Sequence, residues 1–233
     1  MSDAVPWPET GQLGVDGVIA WLCDPATESR IKEHLHRYFG ANPDDAFSGR
    51  FFESFSSKSE RQDRFSPYDV LAAESLSVSI PSDVVDWLLE PDTERDELLS
   101  ECVSLVGDDN SVGIWSCDES WLSKSSPFSR LYDTFRRPGL GPTKRSKLLA
   151  TKLPSMVPIR DSLVEDLLDL KSNRSWWGPI RRVLTEGHHT AWKVLSDCAL
   201  PHGAPDVSVL RRLDVVLWME ARSRGLGRRR SSR

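Results

Sequence analysis

Apolar residues recur three and four positions apart along most of the chain, and the alternation of a half-buried strand is nearly absent, so the pattern predicts a helical protein. Val15 to Cys23 reads as a short helix, and Asp24 before Pro25 opens a second that runs to about Phe39 and stops at Gly40. Ser66 before Pro67, Ser82 before VVDWLLE and Thr93 before ERDELLSECVSLV repeat the start signal. GRFFESFSS, from Gly49, is the exception: it is predicted as a short strand, giving at most a minor strand pair near Phe51 in an otherwise all-α helical bundle. Further helices are predicted from Pro127 to near Arg137, from Thr143 to about Lys152, from Asp161 through Leu168, over Arg181–Leu184 and Ala191–Leu200, and from about Val207 to Arg222. The final GRRRSSR reads as a disordered basic tail.

Charge divides the chain in a way that the overall balance of −5 conceals. Residues 1–120 hold 25 acidic and 8 basic residues, whereas residues 121–233 hold 10 and 22. That asymmetry suggests an acidic helical lobe (1–120), a basic lobe (121–225) and the tail (226–233), or else one two-lobed unit whose halves neutralise each other. The basic half is where a polyanion would bind.

No apolar run approaches the roughly 20 residues of a membrane span. The opening MSDAVPWPETG carries acids and prolines where a signal peptide has a basic start and an apolar block, so a cytoplasmic location is expected. Cys23, Cys102, Cys117 and Cys198 lie far apart, without metal-ligand spacing, and are read as reduced thiols. No metal and no cofactor are implied.

The most informative segment is Pro138-Gly139-Leu140-Gly141 between two predicted helices. Two glycines permit a tight turn and leave backbone N–H groups open at the start of the next helix, where the helix dipole favours a phosphate. Leu140 would pin the turn from inside, and Thr143, Lys144, Arg145 and Lys147 would complete a surface suited to a nucleic-acid backbone.

On these residues the chain resembles the helix-hairpin-helix superfamily of base-excision DNA glycosylases, whose signature is a Pro-Gly-hydrophobic-Gly hairpin, a helix, and a catalytic aspartate some twenty residues later. Asp161, within VPIRDSLV, follows Gly141 by twenty positions, and the resemblance covers about residues 126–170. It implies that Asp161 stabilises positive charge on a sugar, or activates water, as a base is released. A plain helix N-cap is the competing role for the same residue. Bifunctional members carry a Schiff-base lysine two places after the second glycine. That place here is Thr143, and lysine arrives one residue late at Lys144, turned by about 100°, which argues against a lyase step.

Trp176 and Trp177, flanked by basic residues, are candidates for the wedge that fills the gap left by an extruded base, with a core role as the alternative. His188 and His189 read as a solvated pair, and Asp214 as an acid facing solvent or pairing with Arg211 or Arg212. The combination of GPTKRSKLLATKLPSMVPIRDSLV with RRLDVVLWMEAR also resembles an uncharacterised bacterial family of unknown function. Two functions are therefore expected to compete: a DNA-binding protein gripping duplex backbone through the hairpin, with base-excision activity left open, and a non-enzymatic module that docks a protein partner and keeps the hairpin as a structural turn.

Overall fold

The computed structural model describes residues 10–40, 47–107, 111–170 and 176–227; the basic run at 228–233 lies outside them. Among the described residues eleven α-helices follow one another: α1 (Gly14–Cys23), α2 (Glu28–Phe39), α3 (Phe52–Ser56), α4 (Pro67–Ser75), α5 (Ser82–Leu89), α6 (Thr93–Val106), α7 (Pro127–Thr134), α8 (Pro142–Ala150), α9 (Ser162–Leu167), α10 (Trp177–Asp197) and α11 (Val209–Ser223). No strand occurs among the described residues, and no helix there is long and apolar enough to cross a membrane.

The predicted strand at GRFFESFSS is instead a 3-10 turn (Ser48–Phe51) running into α3. Its aromatic residues sit at 51, 52 and 55, a helical spacing that buries Phe52 and brings Phe51 onto Phe55. Elsewhere the capping signals place helix starts to within a residue or two. Asp69 Oδ2 accepts from both the backbone N and Oγ of Ser66 at the start of α4 (2.7 and 2.9 Å). Asp92, one residue before the expected Thr93, caps α6 by accepting from Arg95 N (3.0 Å). The two helices expected around residues 181–200 form one element, α10, whose backbone leaves the helical region at Glu186–His189. Gly187, His188 and His189 there have positive φ, and both histidines are exposed.

Helices from the acidic and basic parts of the sequence interleave. α1 packs on α10, α2 on α11, and α4 on α8, around one continuous apolar cluster that runs from Val18 to Ala221. Ion pairs cross in the same places. Lys152, just after α8, is fully buried and meets the equally buried Asp69 of α4 at 2.9 Å, while donating to Ser59 Oγ (2.7 Å) and the Arg61 carbonyl (2.8 Å). Glu220 of α11 accepts from Arg30 Nε (2.8 Å) and Arg224 Nε (2.7 Å) and shares a hydrogen bond with His34 Nε2 (2.8 Å).

Breaking one member of a buried pair strands the other charge out of water. Lys152→Met should therefore lower the unfolding free energy by about 3–5 kcal/mol in urea titrations, and Lys152→Met with Asp69→Leu should recover much of that loss. A single-variant loss under about 1 kcal/mol would show that Asp69 is accommodated without its partner.

Candidate functional site

A cavity of about 310 Å³ opens between α2, the 48–51 turn, the end of α4, α8 and α11. Its floor is charged. Arg211 of α11 is 4% exposed, and its guanidinium donates to Glu53 Oε1 (3.0 Å), Asp214, Tyr38 Oη (3.0 Å) and the Gly49 carbonyl (3.1 Å) while lying over the Phe52 ring. Gly49 is required at that approach, because a Cβ there would stand 2.1 Å from Tyr38 Oη. Burial disfavours the charge on Arg211, but Tyr38, Glu53 and Asp214 outweigh it and raise the guanidinium above its ordinary value.

Lys147 and Asp161 complete the floor. Lys147 is 4% exposed; its Nζ donates to the Leu76 carbonyl (2.8 Å) and to Asp161 Oδ2 (3.4 Å). Asp161 caps α9 at the same time, Oδ1 accepting from Leu163 N (3.0 Å). The N-cap role thus uses Oδ1, while Oδ2 meets Lys147. Asp214 is pushed up to about 6, first by burial and further by the charge of Asp161, against the lowering pull of Arg211 and Lys147. One cavity therefore holds an ammonium and two aspartates, one of which titrates near neutrality.

Aromatic rings form the wall above this floor. Phe47 stacks on Tyr38 at 5.3 Å and meets Trp218 edge-on at 5.6 Å, and Arg222 lies 5.3 Å from the centres of both the Phe47 and Trp218 rings. Ser48, Ser75 and Ser77 supply hydroxyls at the rim.

The hairpin adjoins the cavity through α8. Gly139 has φ +77°, and a Cβ there would meet Pro81 Cγ at 2.6 Å; Leu140 is buried beneath the turn. Gly141 caps α8 with an extended backbone, is exposed, and has open space where a Cβ would stand. Arg136, Arg137, Lys144 and Arg145 surround the turn. Of these, Arg136 pairs with Asp133, Arg137 lies over Trp87 and Arg145 over Tyr132.

A family model matches residues 31–221. The chain belongs to the family of unknown function DUF6308. No curated protein and no solved structure matches it. The span shared with DUF6308 contains the hairpin and the whole floor of the cavity, from Tyr38 to Trp218.

Several candidate residues stand elsewhere than their spacing suggested. Lys147, expected on the outer surface of the hairpin, is turned inward, and it, rather than Lys144, is the lysine that reaches Asp161. The missed signal was periodicity: Lys147 follows Thr143 by four residues, on the same face of α8 and one turn deeper. Trp176 is a core anchor, 5% exposed, with Nε1 donating to the Pro158 carbonyl (3.1 Å), which takes it away from any wedge role. Trp177 is partly buried and meets Tyr132 edge-on at 6.2 Å, near the hairpin. Asp214 and Arg211 pair as one of the alternatives had them, but inside the cavity.

Because the Asp214 carboxyl is raised from the ordinary value of about 3.9 to about 6 in the folded chain, its contribution to stability is full below about pH 4 and disappears as pH rises through about 6. The unfolding free energy of the wild type relative to Asp214→Asn should therefore be larger at about pH 4 than at about pH 7, by on the order of 2 kcal/mol. A difference that does not vary with pH would show that the folded protein does not hold this carboxyl neutral.

Proposed function

We propose that this chain is a DNA-binding protein that grips backbone phosphate at Gly139–Gly141 and receives an extruded nucleotide in the adjoining cavity, in the manner of the helix-hairpin-helix glycosylases it resembles. The observation that carries this reading is that one short helix, α8, bears both parts. Its open N-terminus at Gly141 suits a phosphate, and about one and a half turns on Lys147 holds its ammonium against Asp161 on the cavity floor. Aromatic walls suit the faces of a base, and a carboxylate beside an ammonium suits a sugar on which positive charge develops as the base leaves. In this reading Asp161 Oδ2 supplies that negative charge, and Asp214, titrating near neutrality, gives or takes a proton. Lys147 lies one turn deeper on the same face of α8 than Thr143, the position of the Schiff-base lysine in bifunctional members.

A second reading has one specific observation in its favour. Much of the positive charge of the basic half is spent internally: Lys152 on Asp69, Arg211 on Glu53 and Asp214, Arg181 on Glu119, and Arg182 on Asp16 and Glu186. That arrangement suits a protein-interaction module in which the hairpin is a structural turn.

Gly141→Glu separates the two. The position has room for a side chain and an ordinary φ of −68°, so the variant should fold, while its carboxylate would stand where a phosphate is expected. In fluorescence anisotropy with a duplex containing an abasic-site analogue, the wild type should bind with affinity that falls steeply as salt rises, and Gly141→Glu should bind at least about tenfold more weakly. Absence of wild-type binding at low salt, or equal binding by the variant, would overturn the DNA reading and favour the module.

A further inference from the structure

Beside the cavity mouth, on the part of the chain richest in acids, lies a surface of aromatic rings carrying cations. Phe51 and Tyr68 are 45% and 42% exposed, and Leu71, one helical turn from Tyr68 on α4, is 44% exposed. These are three of the five large apolar residues exposed among the described residues. Phe51 contacts Phe55 with ring centres 6.2 Å apart; Lys58 Nζ lies over both Phe55 (5.7 Å) and Tyr68 (5.9 Å), and the Arg50 guanidinium lies over Phe51 (4.9 Å). The rings and cations therefore form one connected surface along the contact between α3 and α4.

Most of the acids around this surface are engaged by partners of the same chain. Of the five acids between residues 52 and 74, Glu53 is taken by Arg211, Asp63 by Arg61 and Asp69 by Lys152, and Glu74 accepts from Ile80 N. Glu60 is the remaining one, exposed on the loop beyond Lys58. The surface is also continuous with the cavity. Phe51 closes the 3-10 turn whose Ser48 and Gly49 line the cavity, and Ser75, one turn beyond Leu71 on the same face of α4, stands at its rim.

Exposed rings capped by cations and set in a row suit unpaired bases, whose faces stack on aromatic side chains while the backbone phosphates meet the cations. We propose that Phe51, Phe55, Lys58 and Tyr68 form a stacking platform for single-stranded nucleic acid. The strand would lie along α4 towards the cavity rim. This inference rests on the DNA-binding reading above and adds where unpaired nucleotides flanking the extruded one are held.

The test compares wild type, Phe51→Ser/Tyr68→Ser, Lys58→Glu and Gly141→Glu in anisotropy titrations with labelled oligothymidine and with the abasic-analogue duplex. Both positions of the double variant are exposed, so it should retain the wild-type melting profile by circular dichroism. The wild type should bind oligothymidine, the double variant about tenfold or more weakly, and Lys58→Glu should lose affinity most at low salt. Duplex binding sensitive to Gly141→Glu, together with oligothymidine binding that is absent or unchanged in the double variant, would overturn the platform and leave the hairpin reading intact. Oligothymidine binding lost in the double variant, with duplex binding indifferent to Gly141→Glu, would uphold the platform and remove the hairpin grip. A wild type that binds neither probe would overturn both. A concentration-dependent dimer in sedimentation, abolished by the double substitution and unaccompanied by oligothymidine binding, would make this surface a contact between copies of the chain instead.

Discussion

A guanidinium removed from water must have its donors matched, and around Arg211 that requirement gathers four separate segments. Tyr38 comes from α2, the Gly49 carbonyl from the 3-10 turn, Glu53 from α3 and Asp214 from α11 itself. Each would be costly to bury alone; assembled on one cation they satisfy one another. The same assembly is the floor of the cavity, so the geometry that closes the core in this region also fixes where a ligand could meet charge. Gly49 shows how little tolerance there is, because even a methyl group at that position would collide with the Tyr38 hydroxyl.

Burial, only partly offset by Arg211, makes two carboxyls near it behave differently from exposed ones. Burial pushes Glu53 up, with Arg211 opposing, and pushes Asp214 up to about 6, again against Arg211. One cation shared between two desolvated acids does not fully compensate both, so both carboxyls stand above their ordinary values, Asp214 at about 6. At Glu220 the balance goes the other way. Burial acts to raise that carboxyl, but His34, Arg30 and Arg224 together hold it below the ordinary range, as suits a residue that ties α2 to α11 rather than facing a ligand.

Helices were legible in the chain because their signals are local. Ser66, Thr93, Pro127 and Asp161 each stand at or within a residue of an observed start, and Leu140 is buried under the turn. The 49–57 segment was misread because three phenylalanines in a short run carry strong strand propensity, while the spacing that separates buried Phe52 from exposed Phe51 is set by packing on α4. The cavity was legible only in pieces. Asp161 was identified from its distance to the hairpin, but its partners Lys147 and Asp214 lie 14 residues before it and 53 after it. Asp214 in particular, an acid within an apolar helix, reads as solvent-facing until the segment bearing Gly49 and Glu53 is folded against it. Charge separation along the sequence was equally incomplete as a guide, since the two parts meet in ion pairs such as Lys152–Asp69 and Arg211–Glu53.

These pairings bear on which surfaces remain for a partner. Net charge assigns the polyanion to residues 121–233, but many cations there face acids of the same chain, whereas four of the five acids from 52 to 74 are engaged and leave Arg50 and Lys58 over exposed rings. Accessible positive charge is thus not distributed as the sequence totals suggest. It includes the hairpin end of α8, with half-buried Lys144 and exposed Gly141 beside it, and the α3–α4 surface, where Arg50 and Lys58 lie over aromatic rings. On the DNA-binding reading proposed above, the backbone would pass over Gly141, unpaired bases would lie along Phe51 and Tyr68, and the extruded nucleotide would meet Lys147, Asp161 and Asp214. At the α3–α4 surface the acidic composition of the first half is therefore partly offset, because Glu53, Asp63 and Asp69 each stand beside a cation of the same chain.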